Sequence, residues 1–162
     1  MTEAADLAAV TMLREARRED VARIATLIML GAATQTRTLA EIEEEAQHPA
    51  YLAAFDEVDA SPYNTLIVAE LDGKVVGTLQ LTLIPGLAYR GRKRAKLESV
   101  HVHPDLRGRR VGEAMVAHAV EVARQKGAGL VELTSDKARE AAHRFYLRIG
   151  FSQTHEGFKL AL

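Results

Sequence analysis

The residues best equipped for chemistry lie in one short turn, "RGRRVG", Arg107 to Gly112, which runs directly into an apolar-periodic segment. Main-chain N–H groups at a helix start have no intrahelical acceptor and sit at the positive end of the helix dipole. An anion placed there gains hydrogen bonds and charge stabilisation together. Gly108 and Gly112 allow a ligand to approach the backbone closely, and Arg107, Arg109 and Arg110 add forked donors suited to phosphate oxygens. The turn therefore points to a phosphate-bearing ligand. Neither the nucleotide loop G-x-x-x-x-G-K-[ST] nor the dinucleotide pattern G-x-G-x-x-G occurs in the chain. His101 and His103 put two imidazoles on one strand face, but nothing in the spacing brings His143 or His155 in as a third ligand. No metal is expected. Cysteine is absent, which removes disulfides, thiolate ligands and a thiolate nucleophile.

Those residues need elements to hold them. After an extended piece over Met12 to Ala16, Val21, Ile24, Leu27 and Ile28 recur at helical spacing, with Gly31 as a stop. A second helix starts at the cap residue Thr38 and ends before Pro49, and Tyr51 to Pro62 reads as an irregular or short helical connection. "TLIVAELDGKVVGTLQLTLI" is a hairpin, because β-branched runs flank Asp72-Gly73, a pair that accepts the positive φ of a tight turn. Pro85-Gly86 ends its second strand, and "LAYRGRKRAK" reads as a basic loop leading to the strand "LESVHVHP". Leu97, Val100 and Val102 break strict alternation there, which predicts two buried faces or a bulge near Glu98 and Ser99.

The helix after the arginine turn carries Val111, Met115, Ala119 and Val122 on one stripe and ends at Gly127. "LVELT" forms the next strand. Asp136 then caps a helix whose Ala138, Ala142, Phe145 and Ile149 form the buried stripe, and "GFSQTHEGFKLAL" supplies one or two closing strands. The strand, helix, strand succession from Leu97 to Thr134 makes a parallel pair with a right-handed crossover, whereas the hairpin is antiparallel. An α/β (α+β) fold follows, with a mixed sheet and helices on its faces.

At 162 residues and 48% apolar composition, one domain accounts for the chain: residues 12–162, with 1–11 as a flexible tail. The net charge of -1, from 21 basic and 22 acidic residues, creates no global field toward nucleic acid or membrane. The basic stretch Arg90, Arg92, Lys93, Arg94 and Lys96 offers contacts for RNA, an acidic substrate or a phosphate. With only Tyr89 as an interleaved aromatic, a solvated loop is favoured and nucleic-acid binding disfavoured. The first residues carry acids where a signal peptide wants bases, and no run reaches 18 apolar residues, so a cytoplasmic protein without a membrane partner is expected.

The segments "VHVHPDLRGRRVGEAMVAHAVEVARQKG" and "AAHRFYLRIGF" resemble the two signature segments of the GCN5-related N-acetyltransferases, from about Leu97 to Phe151. Arg107 and Gly112 match the outer positions of the family's Q/R-x-x-G-x-G/A turn, with Arg110 at its middle glycine. Ala142, Tyr146, Gly150 and Phe151 match A-x-x-x-Y-x-x-x-G-F, and Arg139 stands where many members carry a cofactor-binding Asn. "ELTSDKAREAAHRFYLRIGF" and "THEGFKLAL" look most similar to small bacterial members, including aminoalkylphosphonate N-acetyltransferases.

The resemblance implies a mostly antiparallel sheet with a central parallel pair. It implies acetyl-CoA as cosubstrate, its pyrophosphate cradled by main-chain amides over Arg107, Gly108, Arg109, Arg110, Val111 and Gly112, with Arg139 nearby. Val100, His101 and Val102 would pair with the pantetheine arm and acetyl carbonyl through main-chain groups, and Tyr146 would contact the cofactor and protonate the leaving thiolate. Acetyl would pass directly to a primary amine of a small molecule or a peptide N-terminus, within a homodimer. An amine of pKa about 10.4 is mostly protonated at neutral pH, so a base is needed. Glu98 is the candidate, against a reading of it as a carboxylate paired with a neighbouring Arg or Lys. Two other functions fit less of the sequence: an acyl-CoA-sensing module without catalysis, and an RNA-binding protein that uses the stretch 90–96.

Overall fold

The computed structural model describes residues 6–32 and 34–162. Five strands follow one another across one sheet in chain order: β1 (Met12–Glu15), β2 (Asn64–Leu71), β3 (Lys74–Ile84), β4 (Lys93–Val102) and β5 (Ala128–Leu133). β1 to β4 pair antiparallel, and β4 pairs with β5 in parallel. The helices are α1 (Val21–Leu30), α2 (Leu39–Glu45), α3 (Pro49–Ala60), the single turn α4 (Ala88–Gly91), the crossover α5 (Val111–Gln125) and α6 (Glu140–Arg148). The hairpin turns where expected: Asp72 and Gly73 take φ of 50° and 74°, the left-handed pair whose twist matches the flanking strands. Thr38 caps α2 reciprocally, its hydroxyl accepting from the Glu41 N–H while the Glu41 carboxylate accepts from the Thr38 N–H at 2.6 Å.

Both faces of the sheet are covered. α5 buries Val111, Met115, Val116, Ala119 and Ala123 against Ile67, Leu79, Leu81 and Leu97 on one face. On the other, Ile24 and Leu27 of α1 lie on Val68 and Val75. Each large side chain so buried stabilises the fold by roughly 1.5–3 kcal/mol. The β1 edge is locked by a polar clamp: the Arg14 guanidinium donates to Asp20 and Glu70 at 2.7 Å each, and Asp20 also accepts the Arg17 N–H at 2.7 Å. Burial works against the Asp20 charge, yet the hydrogen bonds from Arg14 and Arg17 hold its carboxyl below the usual range.

Five expectations are corrected. Residues 51–62 are not an irregular connection, because α3 runs from Pro49 to Ala60: the proline serves as a first-turn residue, and the His48 ring accepts from the Ala50 N–H. The basic loop is shorter than expected, since β4 already starts at Lys93. Asp136 caps a separate turn, accepting from the Ala138 N–H at 2.8 Å, and α6 starts later, at Glu140, with Ala138 outside it. The closing strands do not form. Residues 151–162 join no ladder and leave Phe158, Leu160 and Leu162 exposed, so a strand there lacks the paired backbone it needs. The parallel pair consequently lies at the sheet edge rather than its centre. Residues 6–11 form a short turn whose Leu7 N–H donates to the Arg109 carbonyl, and 1–5 lie outside the described residues.

Candidate active site

The site begins with a break in β4. Its register against β3 shifts between Thr78 and Gln80, and Ser99 takes a φ of 49°, so one extra residue is fitted into the strand. This resolves the expected irregularity in favour of a bulge. Leu97 packs on the α5 face before it, as do Val100 and Val102 after it, while Glu98 and His101 stand opposite Gln80 and Thr78 on the α1 face. The ladder to β5 ends at Leu97 and Leu133, yet β4 continues to Val102. Past that point the strands part around a notch of about 210 Å³. Residues 97–101 line one wall, Leu133, Thr134 and Ser135 the other, and Arg139 and Tyr146 complete it.

A run of free amides lies beyond the end of β4. Pro104–Leu106 make one 3-10 turn, Gly108 takes a φ of 76° and Arg110 a φ of 62°, and α5 begins at Val111. The first helical bond onto this turn is Ala114 N–H to Arg110 O at 3.0 Å. Among the described residues, the N–H groups from Gly108 through Glu113 have no protein acceptor. Arg107 and Arg109 make no side-chain hydrogen bond or ion pair there either. Arg110 differs: its guanidinium pairs with Asp6 at 3.0 Å and Glu113 at 3.3 Å, while its backbone takes the left-handed conformation at a cost of about 1 kcal/mol. A turn of unsatisfied main-chain donors with two uncommitted guanidiniums is a donor set for phosphate oxygens.

Three side chains in the notch can move protons. The Tyr146 ring meets Phe145 and Phe151 edge-on, and burial raises its phenol pKa, partly offset by Arg139, so the hydroxyl keeps its proton near neutrality. Glu98 is 44% exposed and pairs with Lys96 at 3.1 Å, the alternative weighed for it from sequence, while still lining the notch. His101 is pushed down to about 4 by burial and then by the charges of Arg139 and Arg107, which keeps its imidazole neutral. Its ring packs on Gly31 so closely that a Cβ there would clash with it.

Thr134, Ser135 and Ser99 also line the notch and were missed from sequence. The signal for the first two was their place just past the end of "LVELT", where a parting strand exposes its last residues. The Ser135 hydroxyl is buried without a partner. No cluster of three metal-ligating side chains occurs among the described residues, and the His103 ring instead accepts from the Asp105 N–H. The basic stretch is largely engaged within the fold: Arg92 donates to the Gly129 carbonyl, Lys93 to that of Lys126, and Arg94 pairs with Glu132. No helix of the described residues is long and apolar enough to cross a membrane.

A mixed sheet whose parallel pair parts around a proton-handling notch, with a turn of free main-chain donors at a helix start beside it, has the parts that group transfer from a phosphate-bearing donor requires. The chain belongs to the Acetyltransferase (GNAT) family, whose family model matches residues 32–151. It is 32% identical over 157 residues to the aminoalkylphosphonate N-acetyltransferase of Salmonella typhimurium, covering 97% of this chain and 95% of that protein. A Bacillus halodurans structure described as a transcriptional regulator superposes with a TM-score of 0.84 at 34% identity, over 94% of this chain and 99% of that one. A predicted acetyltransferase with acetyl-CoA from Clostridium acetobutylicum shares the fold at 17% identity, with a TM-score of 0.69 over 93% and 96% of the two chains. As a member of that family, the protein is an N-acetyltransferase.

Proposed function

We propose that the donor is acetyl-CoA and that its acetyl group passes directly to a small primary amine held on the α1 face of the notch. The observation that carries this reading is the adjacency of the parted β4–β5 pair to the free amides before and within the first turn of α5. When bound, acetyl-CoA supplies the acetyl group as an activated thioester. The amides over Gly108–Gly112, with Arg107 and Arg109, hold the pyrophosphate, and Arg139 adds charge at the mouth. Val100, His101 and Val102 offer main-chain groups that β5 has left unpaired, which orient the arm and polarise the acetyl carbonyl. The Tyr146 phenol gives its proton to the departing sulfur. Glu98, at the rim, passes the amine's proton out to solvent.

The match to an aminoalkylphosphonate N-acetyltransferase over nearly the whole chain supports aminophosphonates as the first acceptors to try. One domain over 12–162, a homodimer and a cytoplasmic location belong to the same reading. Thiol release from acetyl-CoA across polyamines, amino acids, aminophosphonates, aminoglycosides and peptide N-termini tests it. Amine-dependent release with one class is expected. Tight acetyl-CoA binding without release from any class would turn the reading toward a sensor.

A further inference from the structure

Two polar atoms on the α1 face of the sheet are buried without partners, and they stand directly opposite each other across β3 and β4: Thr78 Oγ1 and His101 Nδ1. A buried polar atom left unpaired is costly, so two at one register position call for an explanation. Strand register puts His101 next after Glu98 on that face, and His101 also lines the notch. A Cβ at position 31 would meet the ring at Nδ1, so Gly31 lets the ring pack closely and closes off that nitrogen, and Nε2 is the one left to meet a ligand. Packing of that kind fixes an imidazole in one orientation.

Resting on the acetyltransferase reading above, we propose that the His101 side chain is the first acceptor of the amine's proton, held in place by its packing against Gly31. The protons then balance. The imidazole takes one from the incoming ammonium and releases it to solvent by way of Glu98. The freed nitrogen forms the N–C bond, the C–S bond breaks, and the sulfur takes the Tyr146 proton. The second proton lost by the nitrogen restores the phenol. The charged groups facing His101 are Arg139 at the start of α6, Arg107 before α5 and Glu98 on its own strand, with Tyr146 across the notch. From β3 and from the end of α1, the uncharged Thr78 and Gly31 face it.

A coupling follows from these neighbours. Arg107 and Arg139 disfavour the imidazolium, and they are also the cations placed to meet the donor's phosphates. Neutralising them on donor binding raises the proton affinity of His101, so the base strengthens only once the cosubstrate is in place.

Two measurements test this. Imidazole NMR titration of the whole protein, with and without CoA, is expected to show the His101 pKa well below 6.5 alone and higher when CoA is bound. A value near 6.5 that CoA leaves unmoved overturns the proposal. With an amine that supports turnover, His101→Gln is expected to lower kcat about 100-fold or more. Acetyl-CoA affinity and thermal midpoint should stay close to wild type, the acid limb of the pH profile should vanish, and added imidazole should restore part of the rate to His101→Ala. Wild-type kcat and pH profile in His101→Gln overturn it, as does a loss of acetyl-CoA affinity as large as the loss of kcat. If the wild type itself releases no thiol with any amine, the acetyltransferase reading fails, and the titration still decides whether His101 responds to CoA.

Discussion

The two ends of the sheet are built on opposite terms. At the β1–β3 end the strands stay paired, Ile67, Val68 and Leu79 are fully buried, and the Arg14–Asp20–Glu70 clamp satisfies its charges internally. At the β4–β5 end the ladder stops early, α6 contributes no fully buried residue, and His101 and Ser135 keep unpartnered polar atoms. Stability is concentrated where nothing needs to bind. The parted end keeps its donors and acceptors unsatisfied, and those are the groups a ligand can complete.

Substitutions at the two ends should therefore separate turnover from stability. The largest effect is expected at the parted end: Tyr146→Phe should lower kcat about a thousandfold with acetyl-CoA affinity and thermal midpoint nearly unchanged, which steady-state kinetics, calorimetric titration and a melt can check. At the paired end, Asp20→Asn should cost about 3 kcal/mol in urea unfolding, because Arg14 loses a buried partner, while kcat per folded molecule stays the same. Wild-type stability in that variant would erase the contrast.

Acid should then distinguish the two ends by pH. His101 has a folded pKa of about 4 against 6.5 unfolded, so the unfolded chain takes up the proton first. Its contribution is whole above pH 6.5 and lost as pH falls toward 4. Asp20, also depressed, contributes fully above its ordinary 3.8 and loses that only at still lower pH. Urea midpoints measured between pH 7 and pH 3 should show two steps, with the upper one absent in His101→Gln. The smallest effect is expected for Arg110→Gly, which relieves left-handed strain but removes exposed ion pairs to Asp6 and Glu113. The two terms nearly cancel, leaving the thermal midpoint close to wild type in a melt.

Local chemistry explains what the sequence made readable. Asp72-Gly73 encodes its own turn, Thr38 and Glu41 cap each other within one helical turn, and the α5 stripe at Val111, Met115 and Ala119 repeats at helical spacing. The disturbed alternation around Ser99 likewise announced either two buried faces or a bulge, and the strand register decides for the bulge. What stayed hidden depends on distant partners. That His101 is sealed by Gly31, 70 positions earlier, and lies in the field of Arg139 is visible only once α1 and α6 are placed. Pro49 looked like a stop because proline both ends and begins helices, and only His48 as cap decides which. The apolar alternation at Phe158, Leu160 and Leu162 reads as a strand, but a strand also requires a neighbour to pair with.

The free amides from Gly108 through Glu113 belong to the backbone, which every amino acid except proline supplies equally. Replacing the residues of this turn one at a time by alanine would leave most of its donors in place. A deep mutational scan would then record the turn, apart from the left-handed Gly108 and the phosphate-facing Arg107 and Arg109, as more tolerant than Tyr146 and His101, although all serve one reaction. The scan should register the turn mainly through proline, which deletes an N–H. Backbone encoding of this kind lets Arg110 stand at a left-handed position, since its N–H serves a ligand as a glycine's would.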